Sequence, residues 1–155
     1  MTPEGATYQQ YIELTRDNIL KELEGLPEEA LNWPLGIPET NTLYVSAFHA
    51  AGTLAFSTIV TVGQGTLERN RDAEFRSSGN LASLKERWRL TVEGSRGVLD
   101  KLSVEDFNAP RVQMMGNTRR ESTVREVLVN VLSHINVHLG HIQLAKQLWE
   151  DKAKK

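Results

Sequence analysis

No cysteine occurs anywhere in the 155 residues. The protein therefore has neither a disulfide nor a thiol nucleophile of its own, and any sulfur chemistry needs a thiol brought in as a small molecule. Aromatic residues are scarce, at 6%, and three of the five prolines (Pro27, Pro34, Pro38) fall in a single connection. Charge of neither sign dominates. The formal net charge is −2 and the basic residues are scattered, so nothing favours nucleic acid as a partner. The opening Met1-Thr2-Pro3-Glu4-Gly5 lacks the basic start and apolar core of a signal peptide. One uncharged stretch, Leu43 to Thr66, invites a membrane reading, but Ser46, His49, Thr53, Ser57, Thr58, Thr61, Gln64 and three glycines interrupt it. A membrane span of ~20 residues is more uniformly apolar. We expect a central helix, buried on most sides, of a soluble cytoplasmic protein with no membrane partner.

The length is that of one domain, residues 1–155, able to bury most of the surface its unfolded chain exposes. Four helical stretches stand out. In the first, Ala6 to Leu23, the residues Tyr8, Tyr11, Ile12, Thr15, Ile19, Leu20 and Leu23 recur at helical spacing. It stops at Gly25, and the proline-rich connection that follows carries Leu31-Asn32-Trp33, an aromatic to tuck under the bundle's end. The second is the uncharged run from Asn41 to Val62, closed by Gly63 and Gly65. A charged loop, Glu68-Arg69-Asn70-Arg71-Asp72-Ala73-Glu74-Phe75, leads to the third helix near Leu81, where Ser83 and Glu86 have capping-box spacing. Its inner stripe reads Leu81, Leu84, Trp88, Val92, Val98 and Leu102, with Gly94 and Gly97 weakening its second half or admitting a close neighbour. The fourth starts at Thr123, boxed with Glu126, and runs to about Lys152. Between the last two, Arg111 to Met115 and Thr118 to Glu121 flank Gly116-Asn117, which suits a small hairpin with glycine first in a two-residue turn. The fold class is all-α: a four-helix bundle with long crossover connections.

Three of the four histidines fall in one short piece of the last helix, at His134, His138 and His141, and the fourth, His49, lies inside the uncharged run. With His134 at zero on a helical wheel, Val127, Val131, Ile142, Ala145 and Trp149 fall between about 20° and 80°, His138 near 40° and His141 near −20°. The imidazoles are thus expected on the core-facing stripe. There an unengaged ring nitrogen costs ~1–3 kcal/mol, and a metal ion would engage one nitrogen of each ring. Two histidines four apart plus one from a second helix make a divalent-metal site within a bundle. His134 and His141 stand ~10.5 Å apart along the axis, too far to share an ion readily. His138 therefore belongs to any pair, with His134 or His141 beside it. The i, i+4 partner His134 is the commoner arrangement, which makes His141 an outer or pocket residue. Ile135 follows the first histidine where a zinc protease carries glutamate, so peptide hydrolysis by that route is excluded.

The segment His134-x-x-x-His138-x-Gly140-His141-Ile142, with His49 in an apolar second helix and the loop Arg69-x-Arg71-Asp72-x-x-Phe75, resembles the DinB-like superfamily of small metal-binding four-helix bundles over nearly the whole chain. The resemblance implies a metal triad of His49, His134 and His138, and a homodimer. Relatives include metal-dependent transferases that act with a low-molecular-weight thiol such as mycothiol or bacillithiol. In that branch glutamate often stands at the position of His134, and many members have glutamine at that of His141. The first expectation is therefore a transferase that aims a metal-bound thiol at an electrophilic small molecule, the ion being zinc, nickel, iron or manganese. His141, Arg69 and Arg71 are the residues expected near such a cofactor. Arg69 and Arg71, with Arg119 and Arg120, could attract a carboxylate, although their bland reading is solvated loop charge. The alternatives are hydrolysis by metal-bound hydroxide, with Glu93 or Asp72 as acid–base group, and a non-catalytic metal-binding or stress-response protein whose ion ties two helices together.

Overall fold

The computed structural model describes residues 1–115, 118–152 and 154. Helix α1 spans Pro3–Leu23, with proline in the first turn, where a missing N–H goes unnoticed, and the Thr2 hydroxyl accepting from the Gly5 N–H at 3.1 Å. A single turn, α2 (Glu28–Leu31), sits within the proline-rich connection. Helix α3 (Leu43–Ala55) is capped by Thr42 and passes without a break into a π-helical segment, Phe56–Val62. The widening has a local cause. Thr58-Ile59-Val60-Thr61-Val62 is a run of β-branched residues, which crowd an α-helix. In addition, the buried Thr58 hydroxyl donates back to the Leu54 carbonyl at 2.8 Å and meets Ser95 Oγ at 2.8 Å. The Gly63 N–H then bonds the Thr58 carbonyl, five residues back, at 2.9 Å.

The charged loop contains another single turn, α4 (Arg71–Glu74), capped by Asn70. Helix α5 (Leu81–Leu99) opens on Asn80, whose side chain accepts from the Ser83 N–H at 3.0 Å. The expected Ser83–Glu86 box is thus corrected: Ser83 is already the third helical residue, and Glu86 is held by Arg89 at 2.7 Å. After a 3₁₀ turn at Glu105–Asn108, strands β1 (Pro110–Met115) and β2 (Thr118–Thr123) pair antiparallel, with Val112 opposite Glu121. The turn expected at Gly116-Asn117 lies outside the described residues. The long helix α6 (Val124–Lys152) follows, and here the box is present: the Thr123 N–H donates to Glu126 at 2.6 Å, and the Glu126 N–H donates to Thr123 Oγ1 at 3.2 Å.

The four long helices contact one another in the ring α1–α6–α3–α5. Helices α1 and α3 therefore sit on one diagonal and α5 and α6 on the other, so each of those pairs is joined by a crossover, while α3 and α5 are joined along an edge. The core runs through Ile12, Ile19, Leu54, Leu84, Trp88, Leu99, Leu128 and Ile135, all fully buried. Leu43–Val62 is apolar and long enough to cross a membrane, yet 67% of the window is buried inside the bundle, as a central helix requires. Tyr11 is not a core residue as expected: it is 54% exposed, because the buried face of α1 follows Ile12, Thr15, Ile19 and Leu23. At the end of α5 the fully buried residue is Leu99, whereas the expected Val98 is only partly covered. Trp33 packs edge-on against Trp149 with ring centres 5.6 Å apart, closing one end of the bundle.

Candidate metal centre

Where α3 lies against α6, three imidazoles converge. One ligand-capable nitrogen from each of His49, His134 and His138 lies within 4.8 Å of the other two. The ring centres are 5.1 Å apart for His49 and His138, 5.9 Å for His49 and His134, and 4.7 Å for His134 and His138. The Nε2 atoms of His134 and His138 are 3.1 Å apart. Two nitrogens held by one ion at ~2.0–2.1 Å stand ~2.9–3.4 Å apart as their angle opens from a right angle to the tetrahedral value. The pair is spaced as two ligands of one cation are spaced.

Burial separates the three. His49 and His138 are only 4% and 7% exposed, whereas His134 and His141 are exposed. The expectation that all the imidazoles of α6 face the core is corrected accordingly. Helix α6 packs on α1 and α3 together, so its buried stripe is broad and takes in Leu128 and Ile135, at about 100–120° on the same wheel. That shift leaves His134 and His141 on the rim. His141 keeps its ring 5.8 Å from that of His138, outside the three-nitrogen group.

Burial first, and then the neighbouring charges of His134 and His49, push His138 down from 6.5 to about 3. His134 is also lowered, by burial and then by His49, Arg69 and Arg71. Both rings are therefore neutral at physiological pH and present lone pairs without first losing a proton. His138 Nδ1 is buried and, among the described residues, has no hydrogen-bond partner, a cost of ~1–3 kcal/mol that falls on the nitrogen turned away from His134.

The other side of His49 is tied down. Its Nδ1 lies 2.9 Å from Glu74 Oε2, Phe75 packs on its ring at 4.6 Å, and its Nε2 lies 3.4 Å from the Thr53 hydroxyl. Glu74 is 3% exposed and accepts three further bonds: Arg69 Nε at 2.9 Å, Arg69 Nη2 at 2.7 Å and Arg87 Nη2 at 3.1 Å. Burial on its own would raise this carboxyl, but its bonds to Arg69 and His49 outweigh that and lower it from 4.5 to about 2. Gly52 makes the room, since a Cβ there would collide with the Glu74 carboxylate and with Arg87.

Among the residues expected to serve a cofactor, Arg69 is committed to Glu74 and to the Thr53 hydroxyl, at 3.1 Å. Arg71 lies over the Phe75 ring at 4.9 Å, on the exposed side of the loop. Arg119 and Arg120 are exposed on β2. Of the two proposed acid–base groups, Glu93 faces solvent and is bound by Arg89 at 2.7 Å, and Asp72 is exposed. Sequence reasoning missed Glu74, Arg87, Phe75 and Gly52 as parts of the site. Glu74 stood in plain view in the charged loop, but no periodicity or spacing told it apart from Glu68 or Asp72.

A diagonal four-helix ring with imidazoles meeting between its second and fourth long helices defines a helical scaffold with a candidate metal site. The chain belongs to the DinB superfamily, whose family model matches residues 11–142. Comparison with the curated proteins gives no match. Among solved structures, a conserved protein from Enterococcus faecalis superposes with a TM-score of 0.76 at 11% identity, covering 96% of this chain and 98% of its own. YfiT from Bacillus subtilis, described as "a probable metal-dependent hydrolase with an unusual four-helix bundle topology", superposes with a TM-score of 0.73 at 14% identity, covering 95% of this chain and 89% of its own. At such identities the likeness shows the fold alone.

Proposed function

We propose that this protein is a metal-dependent transferase in which His49, His134 and His138 hold a divalent cation and a small-molecule thiol attacks an electrophilic small molecule. The observation that carries the reading is the convergence of three imidazole nitrogens with one of the rings, His134, open to solvent. Three protein nitrogens leave coordination positions for an exchangeable ligand, as a catalytic site requires. When bound, such a cation lowers the pKa of a thiol or a water and so supplies a nucleophile near neutral pH.

The surrounding carboxylates favour the thiol. Hydrolysis calls for a carboxylate or imidazole free to move protons. Glu74 accepts four bonds and stays ionised, and Glu93 is engaged elsewhere. A thiol, once ionised, needs no further base. Space for an acceptor lies along α3. A cleft of about 650 Å³ is lined by Phe56, Val60, Gln64, Arg111, Val112 and Glu121, between the π-helical segment and the hairpin. It begins seven residues beyond His49, ~10.5 Å along the helix.

A second reading, hydrolysis, draws support from the description of YfiT and from His141, an exposed imidazole beside His138. Elemental analysis of protein purified without chelator or affinity metal, followed by thiol titration of the cobalt-substituted form, separates the two. A change in the cobalt spectrum on adding thiol supports transfer. An unchanged spectrum, with water still exchanging at the ion, supports hydrolysis. A protein that takes up no metal overturns both.

A further inference from the structure

Because two guanidinium groups donate three bonds to Glu74, both of its oxygens are acceptors, and it fixes more than the position of its neighbours. A carboxylate only accepts, so the 2.9 Å contact with His49 requires the proton of that ring to be on Nδ1. In the neutral ring the lone pair is then on Nε2, the nitrogen that Glu74 leaves available to the three-imidazole group. Thr53 agrees with this assignment. Its oxygen accepts from Arg69 Nη2 at 3.1 Å, which leaves the hydroxyl hydrogen free to point at His49 Nε2, 3.4 Å away. Phe75, tilted at 36° against the ring with centres 4.6 Å apart, hinders rotation to the opposite face.

We propose that Glu74 is a positioning residue for the metal centre: it holds His49 in the Nδ1–H form with Nε2 offered to the ion, and Arg69 and Arg87 serve to hold Glu74 rather than to bind a cofactor. The proposal rests on the reading of His49, His134 and His138 as ligands. Its geometry is specific. Oε1 takes Arg69 Nε and Arg87 Nη2, and Oε2 takes Arg69 Nη2 and His49 Nδ1. Arg87 is anchored in turn by donating from Nε to the Phe48 carbonyl at 3.1 Å, with its guanidinium 3.7 Å from the centre of the Phe48 ring. The whole assembly fits only because residue 52 has no side chain.

Glu74→Gln tests the assignment. The single amide oxygen is drawn to the Oε1 position, where two arginine donors meet, so the amide N–H group faces His49. The ring must then accept at Nδ1 and carry its proton on Nε2, the nitrogen the ion needs. Nitrogen-15 NMR of the metal-free protein should show His49 protonated at Nδ1 in wild type and at Nε2 in the variant. Zinc affinity, measured by competition with a chelating dye, should fall ~10–100-fold, the usual consequence of removing the hydrogen-bond partner of a ligating histidine. The tautomers of His134 and His138 should not change. A folded variant with wild-type tautomer and affinity overturns the role of Glu74 and leaves the metal reading standing. If the variant does not fold, the wild-type spectrum decides, since an Nε2–H ring at His49 overturns the proposal. Wild-type protein without zinc affinity overturns the reading of the site, and the positioning role with it.

Discussion

His138 holds the central place among the four histidines. It is buried, it contacts both other members of the triad, and its Nδ1 lacks a partner. His138→Ala should abolish stoichiometric metal uptake, checked by elemental analysis of the purified variant, whereas His141→Ala should leave one equivalent bound. A pH dependence follows from the same ring. In the metal-free protein burial lowers its pKa from 6.5 to about 3, so the unfolded chain takes up the proton first as the pH falls. Stability that is complete above pH 6.5 is therefore lost between 6.5 and about 3, and that of Glu74, lowered from 4.5 to about 2, only below 4.5. Denaturant titrations of the metal-free protein should give a lower unfolding free energy at pH 5 than at pH 7, with a smaller difference in His138→Gln. At this scale the sequence pointed to the candidate residues, because histidines are rare in it and three fall within one short piece of helix, and the structure brings His49, His134 and His138 together. It was silent about Glu74, whose role depends on a loop conformation that brings residue 74 back to residue 49.

Among the elements, α6 was legible almost to the residue from its Thr123–Glu126 box, and the uncharged run to Val62 was legible as one helix closed by Gly63. The capping of α5 was misplaced because Asn80, Ser83 and Glu86 each have the right chemistry and spacing alone does not choose between them. The π-helical segment was not foreseen, since its cause includes a tertiary bond from Thr58 to Ser95. Gly52 offers a test at the level of the helix. Alanine there gains about 1 kcal/mol of helix propensity in the middle of α3. The added methyl nevertheless runs into the Glu74 carboxylate and the Arg87 guanidinium, which are held in place by several charged bonds. Gly52→Ala should therefore lower thermal stability despite the propensity gain and lower zinc affinity at least tenfold. Calorimetric melting set beside chelator competition checks both halves of that statement.

Across the whole molecule, the triad joins α3 to α6, which share one of the four edges of the ring. An ion bound only by the folded state adds about 2.7 kcal/mol of stability at a free concentration one hundred times its dissociation constant. Zinc should thus raise the melting temperature of wild type in a concentration-dependent way and leave that of His138→Ala where it is; a scanning calorimeter suffices. The fold class and the long crossovers could be read from four amphipathic stretches and their breaker-rich connections. The order of helices around the ring could not, because each helix buries a stripe wide enough to serve either neighbour.

That diagonal order bears on how the chain is made. Neither the leading pair of long helices nor the trailing pair packs side by side, so no helical hairpin can form from either half as it leaves the ribosome. The candidate ligands are divided between the second long helix and the last. During synthesis His49 emerges well before His134 and His138, so the three imidazoles of the proposed site can meet only after the last helix has been made.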